Sequence, residues 1–249
     1  VFNALHGGDG ENGTIQAYLD LHHIAYTGSG SKASKIAMDK NISKLIAHSV
    51  NIPTPKWVVI KRDSHTGFKL QNLKMPKFTY PYVVKPSNEG STFGLSIVQD
   101  ETKLSKAISL AAEYSDEILI EEYIPGRELT IGILDNKPLP IIEIKPSHDI
   151  FDFECKYTEG MSEYIIPAEL SDSLVRKVSE EAIKIYNIIG CRHYARVDFR
   201  LNEKDEYYFL EINTLPGMTS TSLLPKAAKA AGVEFPNLID TIIKIATLE

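Results

Sequence analysis

Apolar residues recur with two periods along this chain, and the switches between them lay out its elements. Residues 1–5 read as a short buried strand, and His6-Gly-Gly-Asp-Gly-Glu-Asn-Gly13 as a glycine-rich loop. Residues 14–21 have helical spacing, with Thr14 a candidate N-cap. After the connector Thr27-Gly-Ser-Gly-Ser31, residues 32–49 read as one helix, which Asn51-Ile-Pro-Thr-Pro55 stops. Strands are predicted at 57–60 and 82–85, the second running into a polar glycine-containing turn with a hairpin partner at 95–98. An amphipathic helix over 101–114 precedes a strand at 117–123 that ends at Pro125-Gly126. Residues 128–134 and 139–144 alternate as strands across the turn Asp135-Asn136-Lys137. Residues 147–165 are long, polar and weakly periodic, a length that suits a functional loop. Helices are predicted at 171–189, 222–231 and 235–248. Strands paired through hairpins and mixed with helices predict an α+β fold.

One pair of strands carries more than packing information. Tyr194-Ala-Arg-Val-Asp-Phe199 and Phe209-Leu-Glu-Ile-Asn213 flank the polar loop 202–206, as in a hairpin. Residues two apart in a strand share a face, so Arg196 goes with Asp198, and Glu211 with Asn213. Pairing would gather three oxygen ligands and a guanidinium. Hard donors of this kind suit Mg²⁺, which takes one or two carboxylates together with substrate phosphates. The alternative is a solvated hairpin whose polar face meets water. The hydroxyl-rich loop Thr214-Leu-Pro-Gly-Met-Thr-Ser-Thr-Ser222 and the neighbouring Arg196 favour chemistry.

Composition narrows the classes. A 43% hydrophobic and 24% charged chain of 249 residues is ordinary for a globular protein of one large or two modest domains. A net charge of −6 argues against a nucleic-acid or polybasic membrane partner. The two cysteines, Cys155 and Cys191, form no disulfide framework and read as structural, which fits a reducing, cytoplasmic setting. No run approaches the ~20 apolar residues of a membrane helix. The first residues carry no basic stretch of a signal peptide, and the chain is expected to begin inside a strand, as a fragment would.

Other clusters are weaker alone. Lys85 ends an apolar strand and leads to Gly90-Ser91-Thr92-Phe93-Gly94, whose N–H and hydroxyl groups could cradle phosphate; a plain hairpin turn is the alternative. It is not a Walker loop, because no Gly-Lys-Ser/Thr follows. Glu121-Glu-Tyr-Ile-Pro-Gly-Arg-Glu128 could offer backbone groups to a base and a carboxylate to a ribose, or be an exposed acidic linker. Lys156-Tyr157 lies in the long polar segment, where a tyrosine-anchored loop is the default; His6 reads equally well as a structural histidine. Neither Ser91 nor Ser222 sits in a Gly-x-Ser-x-Gly elbow, which excludes serine hydrolase chemistry. Lysines, a glycine–hydroxyl loop, Mg²⁺-type ligands and an arginine together suit phosphoryl transfer to a carboxylate.

In order along the chain, Ala4-Leu-His-Gly, Gly10-Glu-Asn-Gly-Thr-Ile-Gln16, Tyr26-Thr-Gly-Ser-Gly30, Met38-Asp-Lys40, Val84-Lys-Pro, Glu89-Gly-Ser, Glu128-Leu-Thr, Ala195-Arg-Val-Asp198 and Glu211-Ile-Asn-Thr-Leu-Pro-Gly-Met-Thr219 resemble the D-alanine–D-alanine ligases of the ATP-grasp superfamily. The resemblance spans nearly the whole chain. It implies two α+β subdomains gripping ATP, at residues 32–125 and 126–249, preceded by the remnant of a Rossmann-like N-terminal domain at 1–31. It implies that ATP phosphorylates one D-alanine and that the amine of a second attacks the acyl phosphate, giving the dipeptide for peptidoglycan. By position, Lys40, Lys85 and Lys156 would contact the phosphates, Glu121, Tyr123 and Ile124 the adenine, and Glu128 the ribose. Asp198, Glu211 and Asn213 would hold two Mg²⁺ or Mn²⁺ ions. Arg196 and the Gly217 N–H would hold the oxyanion. His6 and Glu11 would lie by the first D-alanine, and Ser222 and Leu223 by the carboxylate of the second. Tyr157 would bond Ser91 and close the loop over the site, favouring D-alanine over D-lactate. Thr92 stands where a second serine is common and keeps the hydroxyl. Family members carry a further N-terminal segment with a substrate-orienting glutamate. A cytoplasmic homodimer is expected. A non-ligating ATP–Mg²⁺ binding protein, or an ATP-grasp ligase for another acceptor amino acid, is the alternative.

Overall fold

The computed structural model describes residues 1–63, 68, 79–90, 92–146 and 162–247. Residues 1–5 do not form the expected strand. The Val1 amino group donates to the Ala25 carbonyl at 2.6 Å and the Thr27 N–H to Val1 at 2.9 Å. The next partner of the run is a side chain, Thr27 Oγ1, which accepts from the Asn3 N–H and ends the ladder. Helix α1 (Thr14–Leu21) follows. The helix expected over 32–49 is two: α2 (Ser31–Met38) and α3 (Lys40–Ser49). Asp39 breaks them with extended backbone, and its carboxylate accepts the Ile42 N–H at 3.0 Å as an N-cap.

The first sheet holds β1 (Trp57–Lys61), β2 (Tyr82–Pro86), β3 (Ser96–Val98) and β4 (Glu117–Glu122), antiparallel throughout in the order β1-β4-β2-β3. Helix α4 (Glu101–Ala111), capped by Asp100, lays Leu104, Ala107, Ile108 and Ala111 on Val84, Val98, Ile118 and Ile120. The second sheet holds β5 (Arg127–Leu134), β6 (Lys137–Pro138), β7 (Ile142–Pro146), β8 (Ser162–Ile165), β9 (Tyr194–Leu201) and β10 (Tyr207–Asn213). Its order is β10-β9-β5-β7-β8, with β6 also on β5. The strand expected over 139–144 begins only at Ile142, as β7, and the short β6 falls before it at the expected turn; Pro140 has no N–H with which to continue the ladder between them.

Among the described residues three further α-helices follow: α5 (Asp172–Ile189), α6 (Leu223–Ala230) and α7 (Phe235–Lys244). Ser171 caps the start of α5, and Gly190 ends it in the left-handed conformation at φ 83°. Along β5 and β9 the odd-numbered residues Leu129, Ile131, Val197 and Phe199 face a core built with α2, α3 and α5. The even face is divided. At one end Leu134 and Tyr194 pack under α6 and α7. The helix comes so close to Gly132 that a Cβ there would lie 2.7 Å from Leu224 Cδ1. The other end carries Glu128, Thr130, Arg196, Asp198 and Arg200, and faces a cleft against the first sheet. No described helix is long and apolar enough to cross a membrane.

Asp39 also accepts from Ser87 Oγ at 3.2 Å, so it ties α3 to the end of β2. Asp39→Ala is expected to lower unfolding stability by about 1–2 kcal/mol, the usual cost of losing a cap, read from denaturant midpoints at constant slope.

Candidate active site

The β9–β10 ladder creates the acidic cluster through a bulge. Phe209 pairs with Phe199, then the register shifts by one, so that Glu211 opposes Asp198 and Asn213 opposes Arg196. Residues two apart normally share a face, which would send Glu211 into the core beside Phe209. The extra residue, Leu210, resets the phase. Phe209 and Ile212, three apart, are both buried, while Glu211 and Asn213 emerge on the cleft side with Asp198. Leu210 itself lines the cleft.

The cluster is ordered by charge. Arg196 forks onto Asp198, with Nε 3.0 Å from Oδ1 and a terminal nitrogen 2.9 Å from Oδ2. Thr130 Oγ1 donates to the same Oδ1 from β5. Burial works against the Arg196 charge, yet Asp198, Glu211 and Glu128 around it hold its pKa above the usual arginine value. Lys40, at the first turn of α3, lies 3.2 Å from Glu211 Oε2 and donates to the Glu89 carbonyl at 2.5 Å. Asn213 Oδ1 accepts the Leu215 N–H at 2.9 Å, which starts the turn into the 214–218 loop.

At the far wall of the cleft, Glu121 is shared by two lysines. Lys85 Nζ is 2.5 Å from Oε1 and Lys44 Nζ is 2.9 Å from Oε2, with all three side chains buried. Lys44 also lies 5.1 Å from the Trp57 ring centroid. Burial pushes the Lys44 pKa down to about 8. Burial raises that of Glu121, but the two ammonium groups outweigh it and leave Glu121 below its usual range. Between the sheets, residues 123–126 connect β4 to β5. Tyr123, Ile124 and Glu128 line the cleft together with Val83, Ile97 and Arg200.

A second cluster stands around the 214–218 loop. His6 Nδ1 is 3.3 Å from Glu11 Oε1, and that contact, with help from the Leu215 backbone, raises the His6 pKa. Glu11 Oε2 in turn lies 3.9 Å from where a Gly90 Cβ would stand, so the N-terminal loop reaches the glycine turn. Ser222 precedes α6, but its hydroxyl accepts the Thr219 N–H at 3.0 Å rather than capping the helix. A Cβ on Gly217 would meet Ser222 Oγ at 2.7 Å, so a larger residue there would displace the Ser222 hydroxyl. Leu223 opens α6 and is buried. Ser91, Lys156 and Tyr157, with Cys155, lie outside the described residues.

The donor set fits a hard divalent cation. Among the described residues no group of three or more His, Cys, Asp or Glu side chains forms a metal cage. What converges is two carboxylates and an amide, which suits Mg²⁺ completed by phosphate oxygens and water. Lys44, Thr130 and Arg200 were not among the residues expected from sequence. Arg200 was accessible to the same logic, being two residues beyond Asp198 on one face; Lys44, inside a helix, carried no signal. Because the folded Glu121 pKa is depressed, its contribution to stability is present above the unfolded value near 4.5 and is lost as pH falls through the folded value. Thermal melts from pH 6 to 3 are therefore expected to fall more steeply for the parent than for Glu121→Gln.

The family model described as "D-ala D-ala ligase C-terminus" matches residues 46–244. The D-alanine–D-alanine ligase of Syntrophotalea carbinolica is 44% identical over 248 residues, covering 100% of this chain and 79% of that protein. That of Aquifex aeolicus is 42% identical, covering 98% of this chain and 81% of its own length. The crystal structure of the Bacillus anthracis D-alanine–D-alanine ligase complexed with ATP superposes with a TM-score of 0.83 at 37% identity, covering 98% of this chain and 77% of that one. Sequence and fold agree, and the chain belongs to the D-alanine–D-alanine ligase family of ATP-grasp proteins.

Proposed function

We propose that this protein joins two D-alanines at the expense of ATP, and that the cleft between its two sheets is the site. The observation that carries this reading is the meeting of Lys40 and Arg196 with Asp198, Glu211 and Asn213 on one side of the cleft, with Lys85 held by Glu121 on the far wall, in a chain of this family. The base would lie between Val83, Ile97, Tyr123, Ile124 and Leu210, an apolar slot edged by connector backbone. Lys85 and Lys40 stand toward the triphosphate. Asp198, Glu211 and Asn213 would hold Mg²⁺, which shields the phosphate charge and polarises the transferred group.

A carboxylate oxygen of the first D-alanine attacks the γ-phosphorus as ADP leaves. The amine of the second then attacks the acyl carbon, loses a proton, and phosphate departs. Negative charge builds on the acyl oxygen in that second step, and Arg196, its plane fixed by the Asp198 fork, is oriented to meet it. The Gly217 N–H supplies a second donor. His6 and Glu11, beside Leu215 and Gly90, suit an ammonium and carboxylate substrate at the first site. Ser222 and the start of α6 suit the carboxylate of the second.

The test is phosphate release from ATP and Mg²⁺ with and without D-alanine, with the dipeptide identified by mass spectrometry. Release that requires D-alanine and matches dipeptide formed is expected. ATP binding without D-alanine-dependent phosphate release would overturn the ligase reading. Glu211→Gln is expected to cut turnover by about 100-fold or more, since a lost metal ligand removes several kcal/mol of charge stabilisation, while the circular dichroism spectrum is retained.

A further inference from the structure

We propose that Arg200 is a positioning residue that sets how the sugar of the nucleotide is recognised, an inference that rests on the reading of the cleft as an ATP site. Arg200 stands directly opposite Glu128 in the β9–β5 ladder, so both side chains leave the same face. Its Nε donates to the Ile124 carbonyl at 3.1 Å, and one terminal nitrogen donates to the Gly126 carbonyl at 2.8 Å. The other terminal nitrogen lies 3.5 Å from Glu128 Oε2. The guanidinium also lies 5.8 Å from the Tyr123 ring centroid. One planar group thus grips both ends of the connector between the sheets, its aromatic residue, and the carboxylate that follows it.

That arrangement uses properties lysine lacks. A guanidinium offers five donors in a rigid fork, whereas an ammonium is a single point charge on a flexible stem. The Arg200 and Glu128 side chains are only 15% and 18% exposed, so water screens their attraction less than at an open surface. With the connector carbonyls and the carboxylate held by the same group, the Glu128 oxygens keep a fixed distance from the slot for the base. A sugar hydroxyl donating to Glu128 is then accepted only when base and ribose sit in register. Arg200 acts through Glu128 and the connector and has no part in the reacting atoms.

Calorimetric titration with ATP, 2′-deoxy-ATP and 3′-deoxy-ATP in Mg²⁺ tests this on the parent protein, Arg200→Met, Arg200→Lys and Glu128→Gln. The parent should prefer ATP over at least one deoxy analogue by about tenfold or more, and both Arg200 variants should reduce that preference to about twofold, the range expected for gaining or losing a hydrogen bond to a charged group. Arg200→Lys keeps charge and stem but not the fork, and carries the test where Arg200→Met does not fold. Unchanged preference in the Arg200 variants, or an equal loss for ATP and the deoxy analogues, would overturn the role of Arg200 alone. Failure of the parent to bind ATP, or a Glu128→Gln variant that keeps the parent preference, would overturn the site reading and this proposal together.

Discussion

The acidic side of the cleft depends on one inserted residue in a two-stranded ladder. Core packing requires Phe209 and Ile212 to point inward; the acidic cluster requires Glu211 to point outward beside Asp198. A regular strand cannot place residues three apart on the same face. The bulge at Leu210 satisfies both demands, with one unpaired residue as its local cost. It also turns that residue to use, since Leu210 becomes an apolar wall of the slot that the charged residues border. The bulged strand is fixed from outside the hairpin as well: the Phe209 N–H donates to Pro53 at 2.7 Å, and the Phe209 carbonyl accepts from Thr54 Oγ1 at 2.9 Å.

The second constraint is electrostatic. Lys40, Lys85 and Arg196 each have a carboxylate partner in Glu211, Glu121 and Asp198. Buried and half-buried pairs of this kind recover little net stability once desolvation is counted, so their concentration here is poorly explained by folding alone. Their geometry suits the polyanionic ligand proposed for the cleft. Cations that are already held in place would need little reorganisation on binding phosphate. Lys44 belongs to the same account. By taking one oxygen of Glu121 from behind, it leaves the group of three side chains with a net positive charge at the wall of the cleft.

How much of this was legible in the sequence differs by element. The hairpin and its polar cluster could be read because strand period and loop polarity coincide there, and the ladder sets Glu211 opposite Asp198 and Asn213 opposite Arg196. The bulge was not legible: alternation alone places Phe209 and Glu211 on one face, and only the burial of Phe209 shows that the phase must change. The break at Asp39 was hidden for a related reason. Apolar spacing continues at helical period across α2 and α3, while the cap that separates them depends on a side chain that also meets Ser87. Residues 1–5 looked strand-like because they are apolar, but a side-chain acceptor replaces the backbone partner that a strand needs. Lys44 could not be found from period, since a lysine within an amphipathic helix reads as solvent-facing until Glu121 and Trp57 close over it.

The even-numbered face of β5 and β9 shows how a single sheet serves both packing and chemistry. Tyr194 and Leu134 at one end are sealed by α6 and α7, while Arg196, Asp198 and Arg200 continue the same row into the cleft. Rigid core packing therefore extends directly into the charged row, with no loop between them. Asp198 is fixed from both neighbours in this way: by Arg196 along its own strand and by Thr130 across from β5. The loops around this row can then differ without disturbing the charged side chains that the sheet itself holds in place.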